Sequence, residues 1–446
     1  MNRTITLCVC VATLCCWPSS AKSESVLELL PGFDVQRVQE AYPPSDSKTF
    51  GELAKMVFRL QKISKKTIDS RVSPEGFGGE TEIGQAAKLD GTIKSLRLLK
   101  VPEKLVEFLE FTVFQDTVVQ IGQGSEARTI NVISARLPKG VKVGDRVSGV
   151  GIVIEPGDKR AVVACPLQWF PSEPASDGWR LLGEAGVDFS ELAQVGSRNR
   201  ELLTAQDNDS FYQILSVAQD IGQSNEATKF EPKWVKPINL LKQPEKYTGD
   251  WIRMRLDTVR VTRVAVTEAA RQKQLGTDHY FQVDAHGNLE NVAVQIERPK
   301  GEEGPPVRFE GTYPVSLVMK KLPPFLTEAI RKQEGGDAVA AMISQPIQIE
   351  GFFFRLWSYS SDFMQRQGGG NQFGPLLMVA RMTDRSQVAQ AGVGPEIFGY
   401  VAAVAVIGAI LLVLIWTRYT SSSDRKVREK NQERESQRLD IPADAG

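Results

Sequence analysis

Asp145-Arg-Val-Ser-Gly-Val-Gly-Ile-Val-Ile-Glu155 reads as one β-strand broken at Gly149, and its reading decides the fold. A glycine inside a strand permits the sharp bend that a small barrel needs at its corners. Working outward, candidate strands occupy residues 91–99, 108–115 and 129–136 before it and 161–169 after it. Pro138-Lys-Gly140, Gly144-Asp145 and Pro156-Gly-Asp158 separate several of them as turns. Five such strands without long helices predict a small closed barrel of the OB type over residues 89–170. A small sandwich is the competing architecture.

The same pattern returns downstream. Ile347-Gln-Ile-Glu-Gly-Phe-Phe-Phe-Arg-Leu-Trp357 is again a strand broken by glycine, at Gly351, and a loop and an apolar strand at 376–380 follow it. Further candidate strands lie at 251–266, 279–284, 292–298, 307–313, 347–359 and 376–381. Residues 247–382 therefore read as a second OB-like module and a diverged duplicate of the first. An insert at 324–344, with a helix around 327–333, distinguishes it. The predicted class is mainly β with helical connectors: two small OB-like β-barrel modules plus one C-terminal transmembrane helix.

Helix is expected outside the barrels. In the N-terminal segment, 22–80, Thr49-Phe-Gly-Glu52 has capping-box spacing, and Phe50, Leu53, Val57 and Leu60 trace one stripe. Lys55, Arg59, Lys62, Lys65 and Lys66 accompany the stripe. A helix packed on a domain, with its lysines solvated, is preferred to one lying on anionic lipid. In the connector, 171–237, a short helix begins at Asp188. Thr204-Ala-Gln-Asp207 caps a longer one bearing Phe211, Ile214, Leu215, Ala218 and Ile221. Phe230-Glu-Pro-Lys-Trp-Val-Lys-Pro237 reads as an extended hinge.

The two ends of the chain speak to location. Arg3 precedes an apolar run at 5–17, and Ser19-Ser-Ala21 offers a peptidase site, so residues 1–21 read as a signal peptide cleaved after Ala21. Residues 398–416, from Phe398 to Trp416, carry no charge, and at about 1.5 Å per residue a helix of them nearly matches a bilayer. Arg418, Arg425, Lys426, Arg428 and Lys430 follow, so the tail at 417–446 is expected in the cytoplasm and the large region outside. Residues 383–397 form a linker. The expectation is a single-pass cell-membrane protein, touching membrane lipid through its C-terminal helix.

The 446 residues balance 54 basic against 54 acidic groups, which argues against the clustered excess of Lys and Arg needed for nucleic acid. Cys8, Cys10, Cys15 and Cys16 fall in the leader. Cys165 then stays alone, as a buried small hydrophobe, and no internal disulfide is possible in the mature chain.

His279 and His286 are the only histidines, with Asp278 and Asp284 nearby. Two imidazoles and a carboxylate suit zinc or general-base chemistry, which makes His279, Asp284 and His286 weak metal candidates. Their odd separation opposes this, because an uninterrupted strand points them to opposite faces. A turn at Ala285-His-Gly287 would relieve the conflict. The sequence contains neither a Gly-x-Ser-x-Gly nucleophile elbow nor a phosphate-binding glycine loop. No catalytic residue and no cofactor is assigned. The aromatic run offers more. Phe352, Phe354 and, across a bend, Trp357 are expected on one face, either as a binding surface or as a second core face covered by the insert.

Asp278-His-Tyr-Phe-Gln-Val-Asp284, Gly351-Phe-Phe-Phe-Arg-Leu-Trp357 and Leu202-Leu-Thr-Ala-Gln-Asp-Asn-Asp-Ser-Phe-Tyr-Gln-Ile-Leu215 resemble strings of an exported, membrane-anchored bacterial family with tandem OB-like β-barrel modules. The resemblance implies architecture and no activity. The expected function is a binding or scaffold module of the cell envelope, with an envelope protein or glycan as partner and no nucleic acid. The alternative is an envelope enzyme using His279, Asp284 and His286.

Overall fold

The computed structural model describes residues 25–386 except 74–76, 78–81, 123, 125–126, 158–159, 297–305, 335–339 and 367–369. The leader, the apolar segment 398–416 and the charged tail lie outside the described residues, as does the Cys165 side chain. Among the described residues no helix is long and apolar enough to cross a membrane. The described residues divide into two compact units, the larger lying within 25–344 and 348–382 and the smaller within 345–347 and 383–386. In the smaller, the Arg385 amide donates to the Pro346 carbonyl at 2.9 Å.

Five strands, β1 (Ala86–Lys100), β2 (Val113–Ile121), β3 (Arg128–Ala135), β4 (Arg146–Glu155) and β5 (Ala161–Phe170), close a barrel in the order β1-β2-β3-β5-β4. The β3–β5 pairing is parallel and the others are antiparallel. That is the ring expected of an OB-type barrel, and the sandwich is excluded. Residues 108–115, expected as a strand, are instead the end of a helix, Glu103–Leu109, followed by the start of β2. Glu110 takes a left-handed conformation and its amide closes the last turn on Val106. A short apolar run is ambiguous between the two states, and here the cap decides it.

Ala87, Leu89, Val119, Val132, Val147, Val153 and Val162 are buried in one cluster, while Ile133, Ile152, Ala161 and Val163 belong to another. The second cluster includes α1 (Val35–Ala41) and α2 (Ser47–Gln61), and Leu53, Met56, Val57 and Leu60 of α2 are buried in it. The basic helix therefore packs its apolar stripe against the barrel. Its cap is Asp46 and not Thr49. The Asp46 carboxylate accepts the Thr49 amide at 2.9 Å, and the Thr49 hydroxyl accepts the Asp46 amide at 3.0 Å. Glu52 instead pairs with Arg37 and Lys55.

Asp145 ties the barrel to the connector. Its buried carboxylate accepts the Trp169 indole N–H at 2.8 Å, the Lys142 amide at 2.9 Å, and both the amide and hydroxyl of Ser172 at 2.9 Å. The Trp169 amide in turn donates to Asp188, which caps α4. The connector folds as α3 (Asp177–Glu184), α4 (Phe189–Val195) and α5 (Asn208–Gln223), and the expected box of Thr204 and Asp207 precedes α5. The expected hinge is not free: Lys233–Trp234 pairs in parallel with Ile252 and Arg253.

The second sheet carries β6 (Trp251–Ala265), β7 (His279–Asn288), β8 (Thr312–Met319), β9 (Pro346–Tyr359) and β10 (Gln372–Asp384) in the order β6-β7-β8-β10-β9, with a further pairing of β6 and β9. Its β8–β10 pairing is parallel, as β3–β5 is. The connectivity of the first ring is thus repeated. Both expected glycine breaks are positions of close approach. A Cβ at Gly149 would stand 3.0 Å from the Pro166 carbonyl oxygen, and one at Gly351 only 2.3 Å from that of Met378. In each ring the fourth strand passes close to the fifth at its glycine, tightly at Gly149 and with no room for a side chain at Gly351.

The insert contains α6 (Pro324–Glu334) and a short strand, Ala340–Met342, on the edge of β6. Helix α5 covers the Phe352 and Phe354 side of the aromatic run: Phe211 stands edge-on to Phe354 at 5.9 Å, and Ile214, Leu215 and Ala218 share a cluster with Phe352, Leu376 and Met378.

Candidate functional site

The expected aromatic surface is absent as such. Phe352 and Phe354 are fully buried, the first against Trp251 at 5.0 Å and the second under α5. Trp357, partly buried, packs against the cluster that holds them. It stacks on Tyr359, two positions along the strand and so on the same face, at 4.6 Å and 25°.

The expected triad is also divided. Strand β7 runs unbroken through Ala285-His-Gly287, so the turn that would have gathered the histidines does not form. Seven residues of strand put His279 and His286 about 23 Å apart. His279 lines one cavity, and Asp284 and His286 another. Asp284 is engaged by Arg260 at 2.7 Å and by the Gln282 amide at 2.8 Å. Among the described residues no cluster of three or more His, Cys, Asp or Glu is placed to hold a metal.

A different site emerges beside Asp284. Gln282, Asp284 and His286 alternate with the buried Val283, Ala285 and Gly287, and so present one accessible face of β7. Strand β8 lies against it, with Ser316 opposite Asp284 and Pro314 opposite His286. The loop between β9 and β10, with its helix Asp362–Arg366, borders this face, and so does the hairpin Val294–Ile296/Val307–Phe309. Together they enclose a cleft of about 750 Å³. The second and third strands with the loop between fourth and fifth are the surface on which OB barrels hold ligands.

The cleft combines flat rings with polar groups. Trp357 and Tyr359 line it together, with Phe309 and Phe363 at 5.1 Å from each other. The Tyr359 hydroxyl accepts from the buried Gln372 amide at 2.9 Å, and Gln372 accepts the Ser361 hydroxyl at 2.8 Å. Burial pushes the Tyr359 hydroxyl far above its usual range, so it stays a neutral donor and acceptor. The Trp357 indole N–H is inaccessible and has no hydrogen-bond partner among the described residues. Arg260, Asp284 and Asp362 complete a charged rim, with the His286 imidazole beside them.

Sequence reasoning placed Tyr359 in the aromatic run, on one face with Phe353, but had not singled out Arg260, Gln282, Ser361 or Gln372. The one available signal was Ser358-Tyr-Ser-Ser-Asp362, a polar run that ends an aromatic strand.

No family model and no curated protein matches the chain. Among solved structures, a deletion mutant of the single-stranded DNA binding protein from Thermus aquaticus aligns at 8% identity with a TM-score of 0.14. The alignment covers 67% of this chain and 93% of that one. A likeness of that size carries no argument. The barrel assignment rests on strand order alone.

Proposed function

We propose that this chain is an envelope binding protein: exported, anchored by residues 398–416, and displaying two diverged copies of one OB-type module outside the cell membrane. The repeated strand order with parallel third and fifth strands supports the duplication. The resemblance of the 202–215, 278–284 and 351–357 strings to an exported, anchored family agrees with it.

The observation that carries the reading is the cleft on β7 and β8. Stacked aromatic rings bordered by amides, hydroxyls and paired charges suit a sugar ring, which needs a flat apolar platform and hydrogen bonds at its edge. An envelope glycan is the proposed ligand. Purified full-length protein should sediment with insoluble cell-wall glycan, and His286→Ala with Asp362→Ala, both exposed at the rim, should weaken that at least tenfold. Absent sedimentation, or sedimentation unchanged in the double variant, would refute the glycan reading.

A protein partner is the second reading. It is favoured by Trp234, 52% exposed, with the guanidiniums of Arg253 and Arg255 at 5.3 and 4.8 Å from its ring. Trp and Arg together are the usual anchors of protein interfaces. Crosslinking in native membranes should then recover one defined protein, lost on Trp234→Ala.

A further inference from the structure

The cavity at the start of β7 plays no part in the glycan reading. We propose that it is an anion site that takes a phosphate group. It encloses about 830 Å³. Cationic side chains enter it from three parts of the fold: Arg263 from the end of β6, Lys320 and Lys321 from the chain leaving β8, and Arg331 from α6. No carboxylate stands among its described lining residues.

The four cations are not equally free. Lys320 is committed to the Ser216 carbonyl at 2.7 Å and to Asp220 at 3.3 Å. Arg263 lies 3.7 Å from Asp278. Lys321 and Arg331 are exposed and have no acidic partner among the described residues. Like charges gathered in a concavity repel one another, and that cost is removed when an anion enters. A guanidinium fork beside an ammonium matches a tetrahedral oxyanion, which offers several acceptor oxygens at once.

His279 is held ready in the same wall. Its Nδ1 lies 2.6 Å from the Asp278 carboxylate and 3.2 Å from both the Arg263 guanidinium and the Thr277 hydroxyl, so Nε2 is the nitrogen left for a ligand. Thr277 and Thr327 add hydroxyls to the lining. The site is separate from the cleft that holds Asp284 and His286, so either proposal stands if the other fails.

The phosphate has two possible sources, a soluble phosphate and a lipid headgroup. Equilibrium dialysis of the full-length protein in non-ionic detergent against radiolabelled inorganic phosphate, and against soluble dihexanoyl phosphatidylglycerol, separates them. Saturable binding of either probe, weakened at least tenfold by Lys321→Ala with Arg331→Ala, is the expected result. Both side chains are exposed, so the variant keeps the fold, and its unchanged thermal melt checks this. Tighter binding of the lipid by tenfold or more assigns the headgroup, and comparable or weaker binding assigns a soluble phosphate. No saturable binding of either probe, or binding unaltered in the double variant, overturns the proposal.

Discussion

Arg355, with no side-chain exposure, lies 3.0 Å from the carboxylate of Asp207, 148 residues earlier in the chain. Asp207 also accepts from Arg198 at 2.8 Å and from the Thr204 amide at 3.0 Å, while Arg355 donates to the carbonyls of Arg198 and Leu202. Strand β9 and the connector are thereby joined through a charge pair shut off from water. The two residues belong to strings whose chemistry is silent when each is read alone.

That pair is expected to be costly to break on one side. Asp207→Ala leaves an uncompensated buried guanidinium, at a cost of about 3–5 kcal/mol. Asp207→Ala with Arg355→Leu removes both charges and should lose less than Asp207→Ala alone. Urea unfolding of the three proteins measures the difference.

The glycines of the two rings predict a ranked effect. At Gly351 an added methyl meets backbone at 2.3 Å and nothing there yields, so Gly351→Ala should separate β9 from β10 and cost more than about 3 kcal/mol. At Gly149 the approach is 3.0 Å and the ladder is already shifted between Gly149 and Gly151, so Gly149→Ala should be milder. Equal melting temperatures would contradict this ordering.

Glu191 in α4 predicts a pH dependence. Burial, reinforced by Asp188 and Asp209, pushes its carboxyl up to about 6 from 4.5. The folded state then holds a proton that the unfolded chain has released, so stability falls as pH rises through that window. Glu191→Gln should stabilise the protein above pH 6 by roughly 2 kcal/mol at most, and by nothing below about pH 4. Thermal melts across that range test it.

Asp145 has the opposite sign. Burial alone would raise its pKa, but donors from Ser172, Lys142 and Trp169 outweigh it and hold the carboxyl below the usual range. Its contribution is present above about pH 4 and is lost as pH falls through the native value. Asp145→Asn should cost about 1–3 kcal/mol at pH 7, the penalty of orphaned buried donors. The gap to the parent protein should close as the pH falls below 4.

Much of the architecture was legible because local chemistry and tertiary demand agree. Gly149 and Gly351 are required by a neighbouring strand, and the Thr204–Asp207 box satisfies a helix start wherever that helix packs. The parity of 279 and 286 likewise foretold their separation. What a strand face meets was not legible, since periodicity tells that Phe352 and Phe354 share a side but not that α5 closes over it. The cleft was hidden for a related reason: Arg260, Gln282, Tyr359 and Gln372 come from four strands, and only the pairing register brings them together.

Parallel pairing of the last strand with the third leaves each ring open until its final segment arrives. For the second ring that segment begins at Gln372, close before the apolar stretch at 398–416. A nascent chain cut short ahead of Gln372 would expose the bare margins of both β8 and β9, which invite pairing with other chains. The residues that complete the second sheet and the uncharged stretch at 398–416 therefore leave the ribosome in close succession.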